Sequence, residues 1–375
     1  MHVSQLSLRD FRSYREADVA LSAGVTAFTG ANGQGKTNLV EAVEYVATGG
    51  SHRTATDLPL VRTGVGSAVV RVVVQRAGRE ALVEVEINPG RSNRARVNRA
   101  PVPRAREALG IVRAVVFAPT DLALVKGDPG ERRRFLDDLL VALRPKTAGL
   151  RADFDRVLRQ RNSLLKTARA TGGRGTASAT LDVWDSQLAR TGAELTTARL
   201  ALVDQLAPHV ARHYAGVAGA GAGSEPVAST YLPSWQIPPE GAASAELTAG
   251  LLAQLLARRS EEIDRGLTLV GPHRDDLELR LGGTPARGYA SHGESWSFAL
   301  ALRLAAFDLL RADGDDPVLV LDDVFAELDQ TRRARLAGLV GGAEQVLVTA
   351  AVEADLPVDL VERRFAVREG AITPA

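Results

Sequence analysis

Gly30-Ala31-Asn32-Gly33-Gln34-Gly35-Lys36-Thr37 decides how this chain is read. The octapeptide fits the pattern G-x-x-x-x-G-K-[ST]. It follows a β-branched run at Val25–Thr29 and opens an amphipathic stretch from Lys36 to Ala47. Glycines let such a loop curl until its N–H groups converge on phosphate oxygens, and the following helix adds its positive dipole end. All eight residues are therefore candidate ATP-binding residues. Lys36 is the cation for the β- and γ-phosphates and a catalytic candidate, and the Thr37 hydroxyl is a ligand for Mg²⁺. The loop by itself implies binding; hydrolysis needs acids.

Those acids stand far downstream. Val318-Leu319-Val320-Leu321 is an apolar strand that ends in Asp322-Asp323. A buried parallel strand ending in a carboxylate delivers charge to the sheet edge where open α/β sheets bind ligands. Asp322 is expected to hold Mg²⁺, and Asp323 to face the γ-phosphate as the group that positions water.

Between these motifs the pattern changes twice. Strands are expected at Val3–Phe11, Ala68–Val74, Ala81–Ile87 and Ile111–Phe117. From about Glu131 to His213 the spacing is helical, with a heptad-like stripe at Leu188, Leu195 and Leu202. Runs at Thr171–Ala179 and Ala215–Gly223 read as loops, and a further helix covers Ala245–Arg265. Strands return at Leu267–Val270, Leu277–Leu281, Gln345–Thr349 and Phe365–Val367, with a helix at Ser295–Arg311. The expectation is an α/β head of mixed sheets and helices, residues 1–125 and 266–375, interrupted by a helical lobe at 126–265.

Composition narrows the setting. The chain has 375 residues, 45% hydrophobic and 24% charged, with a formal net charge of +1. It has no cysteine, so disulfides and thiolate metal sites are excluded. No secretory leader pattern opens it and no apolar run is long enough to span a bilayer, so a cytoplasmic protein with no membrane partner is expected. Only four of the 46 basic residues are lysines, so arginine richness alone is not read as a nucleic-acid signal.

A third element, Ser291-His292-Gly293-Glu294, precedes the helix at Ser295. Together with the phosphate loop, the Leu321-Asp322-Asp323 strand and Glu327-Leu328-Asp329, it resembles an ABC-type ATPase head of the SMC-like branch. Five stretches are more specifically similar to the RecF family: Leu8–Tyr14, Lys126–Asp137, Gly271–Asp276, Ala290–Glu294 and Leu321–Asp329. The resemblance implies an ATP-dependent homodimer in which Ser291, Gly293 and Glu294 of one copy cap the nucleotide of the other. It also implies single-stranded and duplex DNA at gap junctions, RecR and RecO as partners, RecA loading, repair, replication restart and a link to the SOS response. Arg12 is a further candidate for approaching the nucleotide.

Several positions depart from the family pattern. His292 stands where a glycine is usual and Asp323 where a glutamate is usual. Thr349-Ala350-Ala351 stands where a switch histidine is usual, and no Q-loop glutamine is assigned, Asp121 near the end of Ile111–Phe117 being only a candidate. An aspartate is one methylene shorter than glutamate, and a misplacement of about 1 Å can cost on the order of 10²-fold in rate. A weak, DNA-stimulated ATPase used as a switch is therefore expected. A transporter ATPase subunit or a structural SMC protein is the alternative; the long insertion disfavours the first and its shortness the second. Arg91–Arg106, with six arginines and no acid but Glu107 beyond it, and Arg132–Arg134 are candidate phosphate contacts. His209 and His213 have metal-like spacing but no third ligand nearby in sequence.

Overall fold

The computed structural model describes residues 1–171, 178–218, 226–239, 243–357 and 359–375. The N-terminal part runs β1 (His2–Phe11), β2 (Tyr14–Ala20), β3 (Gly24–Thr29), α1 (Lys36–Thr48), β4 (Ala68–Arg76) and β5 (Arg79–Ile87). It continues through β6 (Arg94–Val97), β7 (Ala100–Pro101), β8 (Ala114–Phe117) and α2 (Leu122–Lys126). Helices α3 (Pro129–Leu143), α4 (Thr147–Thr171), α5 (Ser178–Ala218) and α6 (Ser244–Arg265) follow, with β9 (Val227–Leu232) between the last two. The C-terminal part has β10 (Asp276–Leu281), β11 (Thr284–Pro285), the turn-like α7 (Ala286–Tyr289) and α8 (His292–Ala312). It closes with β12 (Val318–Asp322), α9 (Gln330–Val340), β13 (Gln345–Ala350), β14 (Arg363–Arg368) and β15 (Ala371–Pro374).

The central sheet has the order β15-β14-β3-β13-β12-β8, parallel except for β15. Its strands are apolar on both faces because both are covered. Along β12, Val318 and Val320 face one core, shared with α1 and the antiparallel sheet β2-β1-β4-β5-β6-β7. Leu319 and Leu321 face the other, shared with α5 and α8. Parallel pairing sets Asp322 opposite Thr349, and Ala350 opposite Thr29, which is the last strand residue before the phosphate loop. The carboxyl ends of β3, β13 and β12 thus share one edge.

Two expectations are corrected. Leu267–Val270 forms no strand: side chains hold its backbone instead, Asn162 Oδ1 taking the Thr268 N–H at 2.8 Å and Glu262 Oε1 the Leu269 N–H at 2.7 Å. The helical region also holds a strand, since β9 pairs antiparallel with β10. The loop readings at 171–179 and 215–223 fall largely on 172–177 and 219–223, outside the described residues. Thr171, Ser178, Ala179 and residues 215–218 are helical.

The buried charged side chains of the helical region are paired. Arg161 on α4, fully buried, donates to Asp185 on α5 and Glu262 on α6, both at 2.6 Å, and to Thr268 at 2.8 Å. Arg199 holds Asp137 through two bonds of 2.7 and 2.9 Å. No helix among the described residues is long and apolar enough to cross a membrane.

Candidate nucleotide site

The loop that leaves β3 keeps the geometry its glycines permit. Gly35 has φ +110 and forms the N-cap of α1. Gly30 has φ +151, and a Cβ there would lie 2.3 Å from the Val367 carbonyl oxygen, so only glycine fits. Lys36 is buried, and its ammonium donates to the Ala31 carbonyl at 3.2 Å and Asn32 Oδ1 at 3.5 Å, with no carboxylate among the described residues bound to it. Gln34 Oε1 accepts from the Glu369 N–H at 2.6 Å, tying the loop to β14–β15. Gly33 has open space around it.

Three strand ends then converge. Thr37 Oγ1 donates to Asp322 Oδ1 at 2.8 Å, and Thr349 Oγ1 donates to the same oxygen at 2.7 Å. Burial alone would raise the Asp322 pKa, but the nearby His52 and the hydrogen bonds from Thr349 and Thr37 outweigh it and hold the carboxyl below its ordinary value. Asp323 is the reverse case: burial, then the neighbouring Asp322 charge, raise its pKa. Its backbone sits at φ +53, its N–H donates to Thr349 Oγ1 at 2.9 Å, and its Oδ1 is buried without a partner. A left-handed aspartate with an unsatisfied oxygen beside a buried lysine is the strained arrangement found at functional sites.

Sequence reasoning missed His52. Its Nδ1 meets Glu44 Oε2 at 2.6 Å and its Nε2 lies 3.7 Å from Asp322 Oδ2. Burial would lower its pKa, yet the Asp322 and Glu44 contacts raise it to about 10. Only the run Gly49-Gly50-Ser51-His52, a loop just past a phosphate-loop helix, could have flagged it. The role of Thr349, noted as a departure, becomes visible only in the cross-strand register.

Other candidates are placed elsewhere. Arg12 grips the buried Glu41 of α1 at 2.8 and 2.5 Å and donates to the Pro59 carbonyl at 2.9 Å. Ser291 is the N-cap of α8, accepting from the Glu294 N–H at 3.3 Å, and Glu294 accepts from the Ser291 N–H at 2.8 Å. Glu294 is thus engaged in a capping box. Among the described residues no hydrogen bond joins Ser291, Gly293 or Glu294 to the loop of their own chain. A Cβ on Gly293 would lie 2.8–3.1 Å from the Arg332 guanidinium, which covers that helix tip.

The basic clusters are more neutralised than their sequence suggests. Arg96 and Arg94 of β6 sit across from Glu84 and Glu86 of β5, and ion pairs of 3.2 and 3.9 Å join them. Arg132 is buried on Asp276, Arg133 donates to the Asp275 carbonyl at 2.7 Å and Arg134 to the Ser51 carbonyl at 2.6 Å. Residues 273–276 likewise pin strand β10 to its neighbours: Asp275 is buried and accepts from Tyr231 at 2.6 Å and the Ser234 N–H at 2.7 Å. His209 and His213 share Asp308 of α8 with Arg212, whose guanidinium takes the place a metal would need. No group of three or more His, Cys, Asp or Glu side chains placed to hold a metal occurs among the described residues. Asp121 is held by Arg303 at 2.6 Å.

The sequence matches the family described as RecF/RecN/SMC N terminal domain over residues 2–357. It is 60% identical to the DNA replication and repair protein RecF of Frankia alni, covering 100% of both chains. It is 57% identical to the protein of that name from a Nocardioides species, covering 99% of both. Among solved structures, the recombination mediator RecF-ATP of the RecFOR pathway superposes with a TM-score of 0.90 at 26% identity, over 100% of this chain and 97% of that one. An Smc head domain from Pyrococcus furiosus, bound to part of ScpA, shares the fold at a TM-score of 0.54 and 16% identity, over 100% and 96%.

Proposed function

This chain belongs to the RecF family of SMC-type ATPase heads, and from that membership we propose that it is an ATP-dependent DNA-binding protein of replication and repair. In this reading ATP closes a homodimer on DNA at gaps, RecO and RecR join it to promote RecA loading and the SOS response, and slow hydrolysis reopens it. Residues 1–125 and 266–375 act as the head and 126–265 as the inserted lobe.

The observation that carries the proposal is the convergence of Lys36, Thr37, Asp322, Asp323 and Thr349 at one sheet edge. The residues fit a magnesium nucleotide: a buried ammonium held by carbonyl oxygens suits phosphate, and a hydroxyl paired to a carboxylate suits a hard cation. When bound, ATP supplies the transferable phosphoryl group and Mg²⁺ neutralises charge on it. Gly30–Thr37 present backbone N–H groups, Lys36 its cation, and Thr37 and Asp322 the metal ligands. Asp323, with its free Oδ1, orients water and accepts its proton. Ser291 and Gly293 cap the nucleotide held by the second copy.

Sedimentation of the purified chain with ATP and gapped DNA tests this. The expected result is a dimer that needs both and that Lys36→Arg abolishes, since a planar guanidinium cannot replace a compact ammonium. A dimer formed equally well by Lys36→Arg would refute the mechanism. Turnover at or above about 10 s⁻¹, a typical enzyme value, would refute the switch.

A further inference from the structure

Beyond Asp155 helix α4 carries no acid, yet Arg156, Arg159, Arg161, Lys166 and Arg169 follow. Arg161 is the buried cation shared by Asp185 and Glu262, and Arg156 is paired with Asp153 at 3.5 Å. The other three are exposed. Steps of three and four residues put Arg159, Asn162, Lys166 and Arg169 on one face, in line with Arg151 and Asp155 of the preceding turns. Among the described residues no carboxylate is bound to Arg159, Lys166 or Arg169. Arg169 donates to the Arg265 carbonyl at 3.3 Å.

A cleft opens at each end of this face. The N-terminal one, of about 250 Å³, is lined in part by Arg133, Arg151 and Arg199 together with Asp137 and Asp155. Arg199 and Arg151 are spent on Asp137 and Asp138, whereas Arg133 donates to a neutral group, the Asp275 carbonyl. The C-terminal one, of about 600 Å³, is lined in part by Asn162, Lys166, Arg169 and Arg265, with no acid among its described residues. Asn162 Oδ1 is taken by Thr268, so its amide N–H groups are what it offers the cleft.

We propose that this face of α4, with its two clefts, is a track for the phosphodiester backbone of DNA. It rests on the reading of the chain as a DNA-binding protein and assigns that contact to the lobe. From Arg151 to Arg169 the helix rises about 27 Å at about 1.5 Å per residue, the axial length of about eight base pairs. The composition favours a nucleic-acid backbone over an acidic protein. Protein interfaces are enriched in aromatic side chains and poor in lysine, and none of the exposed large apolar side chains lies on α4. A polyanion needs only cations in a row. The arginines of β6, by contrast, are offset by Glu84 and Glu86.

Arg159→Gln, Lys166→Gln and Arg169→Gln combined remove the charge and keep the surface polar. Fluorescence anisotropy of a labelled gapped duplex with ATP, between about 50 and 200 mM salt, gives the slope of log affinity against log salt. Each phosphate contact contributes about 0.9 to that slope, so we expect a fall of more than about 2, and affinity at about 0.1 M down on the order of 10²-fold. The urea midpoint and the affinity for a fluorescent ATP analogue should not change. Arg159→Lys, Lys166→Arg and Arg169→Lys combined keep the charge and should stay within about threefold of the parent. A fall below about 1 in the glutamine variant, or an equal loss in the charge-preserving one, would overturn the proposal. Polyglutamate displacing the duplex as effectively per charge would assign the face to an acidic protein and overturn it too. Should the glutamine variant not fold, Lys166→Glu alone carries the test, with a fall of about 1 expected and an unchanged slope refuting the track. A parent protein that binds no DNA would instead remove the reading on which the track stands.

Discussion

Thr349→Val isolates the hydroxyl that ties the acidic strand end together. Thr349 is completely buried, and its Oγ1 both donates to Asp322 and accepts from the Asp323 N–H. Valine keeps the shape and removes both bonds. A bond to a charged group contributes about 1.5–3 kcal/mol, and a buried N–H left without a partner costs about 1–3 kcal/mol. Asp322 keeps Thr37 and the nearby His52, so the lower halves apply, and the expected cost is about 3 kcal/mol. With a urea slope of about 3 kcal/mol/M for a chain of this length, the midpoint should fall by about 1 M. Thr349→Ser restores the hydroxyl and should recover most of that. A valine variant melting within about 0.3 M of the parent, or a serine variant no better than valine, would show that the hydroxyl does not anchor Asp322 and Asp323.

Other consequences can be checked the same way. Arg161→Met leaves Asp185 and Glu262 buried without their shared cation and should cost on the order of 3–5 kcal/mol in urea melts; a loss below about 1 kcal/mol would mean the triad is dispensable. His273 has a pKa depressed to about 4, chiefly by burial and despite the Thr268 carbonyl, so the unfolded chain takes up the proton first. Its contribution is complete above its ordinary value of 6.5 and is lost as pH falls toward 4, about 2 kcal/mol of it by pH 5. His273→Gln should flatten the urea midpoint between pH 7 and pH 5, and an unchanged slope would contradict this. Arg94→Ala with Arg96→Ala should change the salt slope of DNA binding by less than about 1, because Glu84 and Glu86 already offset those charges; a loss near 2 would make them phosphate contacts. Gly293→Ala displaces only the flexible end of Arg332, so it should cost little stability and still impair ATP-dependent dimerisation in sedimentation; normal dimers would remove the helix tip from the interface.

What could be read from the sequence was whatever depends on local spacing. The phosphate loop needs eight consecutive residues with a strand before and a helix after, and β3 and α1 supply them. The apolar run ending in Asp322 marks a strand covered on both faces, which β12 is. Partners brought together by pairing were not readable. The acids opposing Arg94 and Arg96 lie on the preceding strand, so an acid-free segment concealed two arginines whose charge is offset across the hairpin. Leu267–Val270 has strand composition, but Asn162 from α4 and Glu262 from α6 take its N–H groups, and no periodicity in the segment reveals that. His52 meets Asp322 only because the loop after α1 folds back across β12.

Helix α8 shows why the candidate capping tip cannot move alone. Its N-terminal end is Ser291 and Gly293, covered by Arg332 of α9. Farther along the helix, Arg303 is pinned to Asp121 beside the cavity that borders His52. Near its C-terminal end Asp308 gathers His209, Arg212 and His213 of α5. Between those points the helix is buried almost all round, from Ser295 to Phe307. Interiors packed this closely transmit displacement rather than absorb it. A phosphate pressed on the tip would therefore act on α5 and on the Asp121 side of the cavity together, and the same contacts run in reverse. A displacement of α5 would, through these contacts, bias where Ser291 stands, which is the physical requirement for sites on the two helices to report on each other.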